Sequence, residues 1–131
     1  MPSEKGALTT SLEMLSERAG DPSQRIYAEL FRRHPEFESL FFLDTNGDVR
    51  GEMLSQAFDL LMRADADDET ADVMVRANRF THDGYGVSAD EFNSFFSVIR
   101  DVSRQALDAA WTEQFESRWT EVISQLTRSE P

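Results

Sequence analysis

Residues 26–41 read IYAELFRRHPEFESLF, and this stretch decides how the rest of the chain is interpreted. Apolar and aromatic side chains recur from Ile26 at positions i, i+1, i+4 and i+5, the spacing of one face of an α-helix. The helix is predicted to end at His34, because a residue that precedes proline resists the α conformation. The short turn that follows carries three large apolar residues: Phe37, Leu40 and Phe41.

The rest of the chain shows the same helical periodicity, with glycine and proline confined to breaks. Asp21 before Pro22 predicts an N-cap followed by proline at the first helical position. Ser88 with Glu91 forms a capping box that opens a long helix, and Thr112 is predicted to cap the last one. We therefore predict an all-α fold of six or seven helices around one core.

Two regions lead to specific expectations about burial. Residues 65–69 form an acidic corner whose carboxylates suit the start of the next helix. That helix is predicted to end at His82 and to carry its apolar face on Val73, Met74, Ala77 and Phe80. The last helix is predicted to bury Phe115, Trp119, Val122, Ile123 and Leu126.

Length and composition limit the class of protein. The chain of 131 residues is expected to form one domain over residues 1–131, with flexible ends at 1–6 and 128–131. It has no apolar run of the roughly 18 residues that a membrane span needs, and no secretory signal pattern. The absence of cysteine excludes disulfides, thiolate haem ligation and cysteine-bound clusters, and it fits a cytoplasmic protein. A net charge of −12 disfavours nucleic acid as a partner.

The segment from Tyr27 to Phe41 contains, in order, a tyrosine, a phenylalanine four residues later, His-Pro-Glu and Leu-Phe. In this order they resemble the bacterial single-domain haemoglobins and the globin half of flavohaemoglobins. The resemblance extends from about Leu8 to Leu126 and implies a globin fold, here with about six to seven helices around a haem pocket. It also implies a haem b cofactor, a diatomic gas ligand (dioxygen, carbon monoxide or nitric oxide) and a monomer or homodimer.

The resemblance assigns the residues on the two sides of the iron. A lone histidine at a helix end is more often structural, but the family pattern makes His82 the proximal iron ligand. Tyr27 matches the distal tyrosine, whose hydroxyl donates to iron-bound dioxygen because that ligand carries partial negative charge. By itself, Tyr27 would also fit a core tyrosine whose hydroxyl meets a backbone group.

The distal helix has two alternative registers. Arg50 and Leu54 match the family's Gln-x-x-x-Leu pattern, and Val49 with Met53 is the alternative one residue earlier. Arginine at this position either donates to the ligand, pairs with a haem propionate or remains a solvated surface residue. The resemblance further implies that the haem is contacted by Phe41, by the adjacent candidate Phe42, and by Tyr85, Val87, Phe92 and Phe96.

The proximal side departs from the flavohaemoglobin pattern. Phe92 stands where flavohaemoglobins have a tyrosine, and the chain ends before the position of their proximal glutamate, counted from Trp119. Since those groups make the imidazole more electron-donating, the departure favours reversible gas binding over oxygen activation. The alternatives are a nitric oxide dioxygenase that works with a separate reductase, and a gas sensor or haem-free interaction module. No residue is assigned a catalytic role.

Residues 44–48 read DTNGD, the beginning of a calcium-binding loop. Such a loop needs glycine at its sixth position and glutamate at its twelfth. Those positions hold Val49 and Ser55, so we interpret the segment as a polar corner.

Overall fold

The computed structural model describes residues 4–41 and 43–128, and regular structure in these ranges is entirely helical, as predicted. Phe42, one of the haem-pocket candidates, lies outside the described residues. No helix within the two ranges is both long and apolar enough to cross a bilayer. The elements in chain order are α1 (Ala7–Ala19), α2 (Ser23–Arg33), a first 3-10 helix (Pro35–Phe41), α3 (Asp48–Asp65), α4 (Thr70–Asp83), α5 (Ala89–Leu107), a second 3-10 helix (Asp108–Ala110) and α6 (Glu113–Thr127).

Local sequence signals set most helix ends. The chain leaves the α conformation at His34, directly before the proline. Both halves of the capping box are formed, since Ser88 Oγ accepts from the Glu91 amide and the Glu91 carboxylate accepts from the Ser88 amide. Thr112 Oγ1 accepts from the Phe115 amide at the start of α6. One boundary differs by a residue: α2 begins at Ser23, after Pro22.

The core lies where α5 packs against α1, α2 and α6, with α3 closing the other side of α1 and α6. The predicted apolar face of α6 is buried as expected. Trp119 is completely buried, and its indole Nε1 donates to Ser11 Oγ at 2.8 Å. The polar end of this large side chain is therefore satisfied inside the core.

Asp65 differs from the rest of the predicted acidic corner. It does not lie at the start of the next helix but is completely buried at the end of α3. Its carboxylate accepts from Arg118 Nε at 2.6 Å, from the Gly6 amide at 3.0 Å and from the Thr9 amide at 2.9 Å. The sequence pattern did not indicate this burial, because the compensating arginine is 53 residues away in sequence. Within the same segment, Asp68 does lie at the start of α4, where its carboxylate accepts from the Thr70 amide at 2.9 Å.

Helix α4 presents a different face to the core from the one predicted. Val73 is 61% exposed and Phe80 is 81% exposed, whereas Ala71 and Val75 are buried. Of the predicted face, Met74 packs against the core and Ala77 is exposed. Periodicity does not distinguish overlapping apolar stripes on one helix. In the observed orientation Ala71 and Val75 face the core, and Arg79 Nη2 donates to the Leu126 carbonyl at 2.7 Å.

Candidate functional site

An apolar cavity with a volume of about 100 Å³ lies between the first 3-10 helix, α3, α4 and α5. Its wall combines aromatic and aliphatic side chains with a few polar ones, among them Gln56, Asn78 and Glu91, which the sequence did not predict. The structure brings six of the predicted pocket residues to this cavity: Phe41, Met53, His82, Val87, Phe92 and Phe96.

The imidazole of His82 is oriented by its own helix. Nδ1 lies 2.8 Å from the carbonyl oxygen of Asn78, four residues earlier in α4. Because a carbonyl only accepts, Nδ1 carries the hydrogen and the lone pair of the neutral ring is on Nε2. The Phe92 ring packs 5.0 Å from the imidazole, centroid to centroid. A histidine whose other nitrogen is held by a carbonyl is typical of metal ligation.

The surroundings of His82 are aromatic on one side and cationic beyond that. Phe92 packs edge-on against Phe96 at 5.9 Å, and the Arg79 guanidinium lies 5.8 Å from the Phe92 centroid. Arg79 Nε also donates to the side chain of Asn93 at 3.2 Å. Within the part of the chain that the structure describes, no carboxylate hydrogen-bonds to His82.

Tyr27 lies in the layer directly behind the cavity wall. It is 4% exposed, and its ring centroid is 5.8 Å from Phe41 and 5.7 Å from Phe95, both of which line the cavity. The hydroxyl donates to the backbone carbonyl of Arg50 at 2.8 Å. Burial raises the pKa of Tyr27 above its ordinary value, so the phenol remains a neutral donor.

The side chain of Arg50 turns away from the cavity toward a buried carboxylate. Its Nε donates to Asp44 Oδ2 at 3.0 Å and its Nη2 donates to the Asp44 carbonyl at 3.1 Å. Asp44 also accepts from the amides of Val49 and Arg50, so it caps α3. Burial opposes ionisation of Asp44, but these hydrogen bonds and the guanidinium outweigh it and lower the pKa of the carboxyl.

The cavity face of α3 is not the one expected for either register. Met53 lines the cavity, while Leu54 is buried in the core and Val49 is 52% exposed. Tyr85, another predicted pocket residue, is 76% exposed and is not part of the wall. The wall is built from positions i, i+3, i+4 and i+7 of α3, a helical spacing visible in the sequence: Met53, Gln56, Ala57 and Leu60.

The residues of this site fit an iron porphyrin in their chemistry. The cavity offers one imidazole whose Nδ1 is held by a carbonyl, which leaves Nε2 for a metal, in apolar and aromatic surroundings. Its volume of about 100 Å³ is smaller than the roughly 300–1,000 Å³ of pockets for drug-sized ligands. The porphyrin macrocycle can therefore enter the cavity only if the helices that form its walls move apart.

Comparison with known proteins identifies the family. The family model described as Globin matches residues 24–129, a range that includes both Tyr27 and His82. Searches of curated proteins and of solved structures gave no match. Members of this family typically bind haem. Because the match covers most of the sequence and the fold is all-helical, the chain belongs to the globin family.

Proposed function

We propose that this protein binds haem b through His82 Nε2 and reversibly binds a diatomic gas, in the manner of the bacterial single-domain globins. The observation that carries the proposal is the 2.8 Å contact of His82 Nδ1 with the Asn78 carbonyl, at the wall of an apolar cavity in a globin chain. When bound, the haem iron supplies a coordination site for dioxygen, carbon monoxide or nitric oxide.

On the proximal side, the protein fixes the direction of the imidazole. The Asn78 carbonyl holds Nδ1–H, and the Phe92 ring packs against the imidazole at 5.0 Å. A carbonyl is a weaker acceptor than a carboxylate, so it withdraws the Nδ1 proton less and leaves His82 a weaker electron donor. This favours reversible gas binding as the function. Nitric oxide oxidation with a separate reductase is the second candidate function.

On the distal side, Tyr27 is the proposed donor to the ligand. Its ring is fixed among aromatic neighbours, and its hydroxyl is buried and neutral. To reach a ligand it must exchange the Arg50 carbonyl for the ligand as its acceptor. The Arg50 side chain is held by Asp44, so we do not propose it as the second donor.

Haem can enter only if part of the cavity wall moves, and α4 is a part of the wall with few buried residues. Of its fourteen residues only Ala71 and Val75 are buried, and Phe80 near its end is exposed. We propose that movement of α4 away from α3 enlarges the cavity while Asn78 and His82, on the same helix, stay together. An intrahelical contact survives such a movement.

The experiment is a titration of the purified protein with hemin, followed by absorption spectroscopy of the ferric, ferrous and carbonmonoxy forms. We expect one hemin per chain, with a Soret band that is lost or strongly shifted in His82→Gly and restored by added imidazole. His34→Ala is the matched control, since the sequence holds only two histidines. Its spectra should equal those of the wild type. A wild-type protein without a Soret shift, or a His82→Gly protein with an unchanged spectrum, would refute the proposal.

The role of Tyr27 is tested separately by the rate of dioxygen release. A hydrogen bond to a charged group contributes roughly 1.5–3 kcal/mol, so Tyr27→Phe is expected to raise the dissociation rate about tenfold or more. Stopped-flow displacement of dioxygen by carbon monoxide measures this rate. An unchanged rate would show that the hydroxyl remains on the Arg50 carbonyl.

A further inference from the structure

A second group of ligand-type side chains lies at the rim of the cavity, apart from the proposed haem ligand. His34, Glu36 and Glu91 each offer one donor atom, and these atoms lie within 4.8 Å of one another. His34 follows α2, Glu36 belongs to the first 3-10 helix, and Glu91 is in the first turn of α5. The fold thus brings Glu91, at the start of α5, next to His34 and Glu36, which lie much earlier in the sequence.

The imidazole of His34 is fixed in a defined tautomer. Ser94 Oγ donates its single hydrogen to the Glu91 carbonyl at 2.7 Å. In the 3.3 Å contact between Ser94 Oγ and His34 Nε2, the imidazole must therefore be the donor. In the neutral ring, this leaves the lone pair on Nδ1. The ring is also stacked on Phe37 at 4.7 Å with an interplanar angle of 21°, which restricts its rotation.

The lone pair of His34 Nδ1 faces a carboxylate. Nδ1 lies 3.6 Å from Glu36 Oε2, which is longer than a hydrogen bond of about 2.7–3.2 Å. Two ligands on one tetrahedral zinc, each at about 2.0–2.2 Å from it, are separated by roughly 3.3–3.6 Å. The observed separation lies in that range, so a cation between the two atoms would replace a repulsive contact by two bonds.

The third ligand is positioned by a helix cap. Glu91 Oε1 accepts from the Ser88 amide at 2.9 Å as part of the capping box. This hydrogen bond lowers the pKa of Glu91, so the carboxylate is ionised at neutral pH. The side chain is thereby held at one place, while Glu36 across from it is 59% exposed and open to ions from solvent.

We propose that His34 Nδ1 and one carboxylate oxygen each from Glu36 and Glu91 bind a single divalent transition-metal ion, best matched by Zn²⁺, with water in the fourth position. The site is independent of the haem proposal and uses none of its ligands. Because Phe37 and Glu91 line the cavity, an ion here joins the first 3-10 helix to α5 across the cavity rim. The net charge of −12 raises the local concentration of cations around the chain.

The test is calorimetric titration of Zn²⁺ into tag-free protein, with and without bound hemin. We expect one saturable site per chain, weakened at least tenfold in His34→Gln and in Glu91→Gln. Ser94→Ala removes the hydrogen-bond partner that fixes the tautomer of His34. It should weaken zinc binding about 10–100-fold, as does the loss of a residue that hydrogen-bonds to a metal ligand at other sites. His82→Gln is the matched control for the other imidazole, and Glu13→Gln controls for an exposed carboxylate on α1. Both should leave the affinity unchanged.

Proton-detected nitrogen NMR of the imidazoles identifies the coordinating atom. Zinc should shift the Nδ1 resonance of His34 and leave that of His82 in place. Absence of a saturable site, equal affinity in His34→Gln, or a zinc-dependent shift at His82 alone would overturn the proposal. A protein that binds zinc but not hemin, or hemin but not zinc, separates the failure of one proposal from that of the other.

Discussion

The two sides of the molecule are packed differently. The anchored side consists of α1, α6 and the C-terminal end of α3, and it is held together by the buried Asp65–Arg118 pair and by Trp119. The cavity side consists of the first 3-10 helix, α4 and the start of α5. It leaves large apolar side chains in solvent, including Leu40 at 53%, Phe80 at 81% and Tyr85 at 76% exposure.

This contrast assigns stability to the anchored side and ligand binding to the cavity side. On the anchored side, buried polar atoms are satisfied by long-range partners, so this side does not depend on a ligand for its structure. On the cavity side, α4 has few buried residues and borders a cavity too small for a macrocycle. Regions with few buried contacts open at the lowest free energy, so the cavity side is the part that can adapt to a cofactor.

The largest effect is expected from Asp65→Asn, which breaks the anchored side. The substitution keeps the shape but leaves the Arg118 guanidinium, itself 5% exposed, without its buried countercharge. Removal of one partner of a buried pair costs about 3–5 kcal/mol of the free energy of unfolding, measurable by urea denaturation. Asp67→Asn is the control, because Asp67 faces the same arginine from a largely exposed position. It should cost no more than about 1 kcal/mol.

The same carboxylate predicts a dependence of stability on pH. Burial opposes ionisation of Asp65, but hydrogen bonds from Arg118, Thr9 and Gly6 outweigh it and lower the pKa. A lowered folded-state pKa means stabilisation above the unfolded value of about 3.9, lost as the pH falls toward the folded value. The free energy of unfolding should therefore decrease below about pH 5, and less steeply in Asp65→Asn than in the wild type. The free energy of unfolding is measured by urea denaturation from pH 3 to 7. If it depended equally on pH in the wild type and in Asp65→Asn, this assignment would be contradicted.

A smaller effect distinguishes two buried serines of the core. Ser11→Ala removes the acceptor of the Trp119 indole and should cost about 1–3 kcal/mol, the penalty for an unsatisfied buried donor. Ser103 Oγ is buried without a hydrogen-bond partner among the described residues. Ser103→Ala should therefore be neutral or stabilising. Chemical denaturation measures the free energy of unfolding of both variants. An equal loss in the two variants would show that the indole hydrogen bond does not contribute to stability.

The smallest effect is expected on the cavity side, from Arg79→Gln. This change removes the bonds that tie α4 to Asn93 and to the Leu126 carbonyl, at a cost of about 1 kcal/mol at this partly exposed position. Amide hydrogen exchange in α4 should become about fivefold faster while α1 is unchanged. Arg76→Gln is the control, because among the described residues the side chain of Arg76 hydrogen-bonds only to the Asp72 carbonyl of its own helix. Faster exchange in α1 as well would show that the two sides are not independent.

The candidate site was partly visible in the sequence. The family pattern led to His82 and to five further residues that the structure brings to the cavity wall. It did not lead to Asn78, whose carbonyl orients the imidazole, because a backbone acceptor leaves no signature in side-chain pattern. It also did not reveal that Tyr85 faces solvent or that Arg50 pairs with Asp44, since both outcomes depend on how the chain turns beyond the helix ends.

The all-helical class and most helix boundaries follow from the amino-acid sequence, because they depend on residues that are close together in the chain. The cap formed by Ser88 and Glu91 and the helix end at His34 are of this kind. The buried face of α6 follows from its apolar periodicity. The burial of Asp65 and the exposure of Phe80 on α4 depend instead on contacts between distant parts of the chain. Their partners, Arg118 and the Leu126 carbonyl, are 53 and 47 residues distant from Asp65 and Arg79, respectively. The cost of burying a charge, or the gain from orienting a helix, exists only once the chain has brought such partners together.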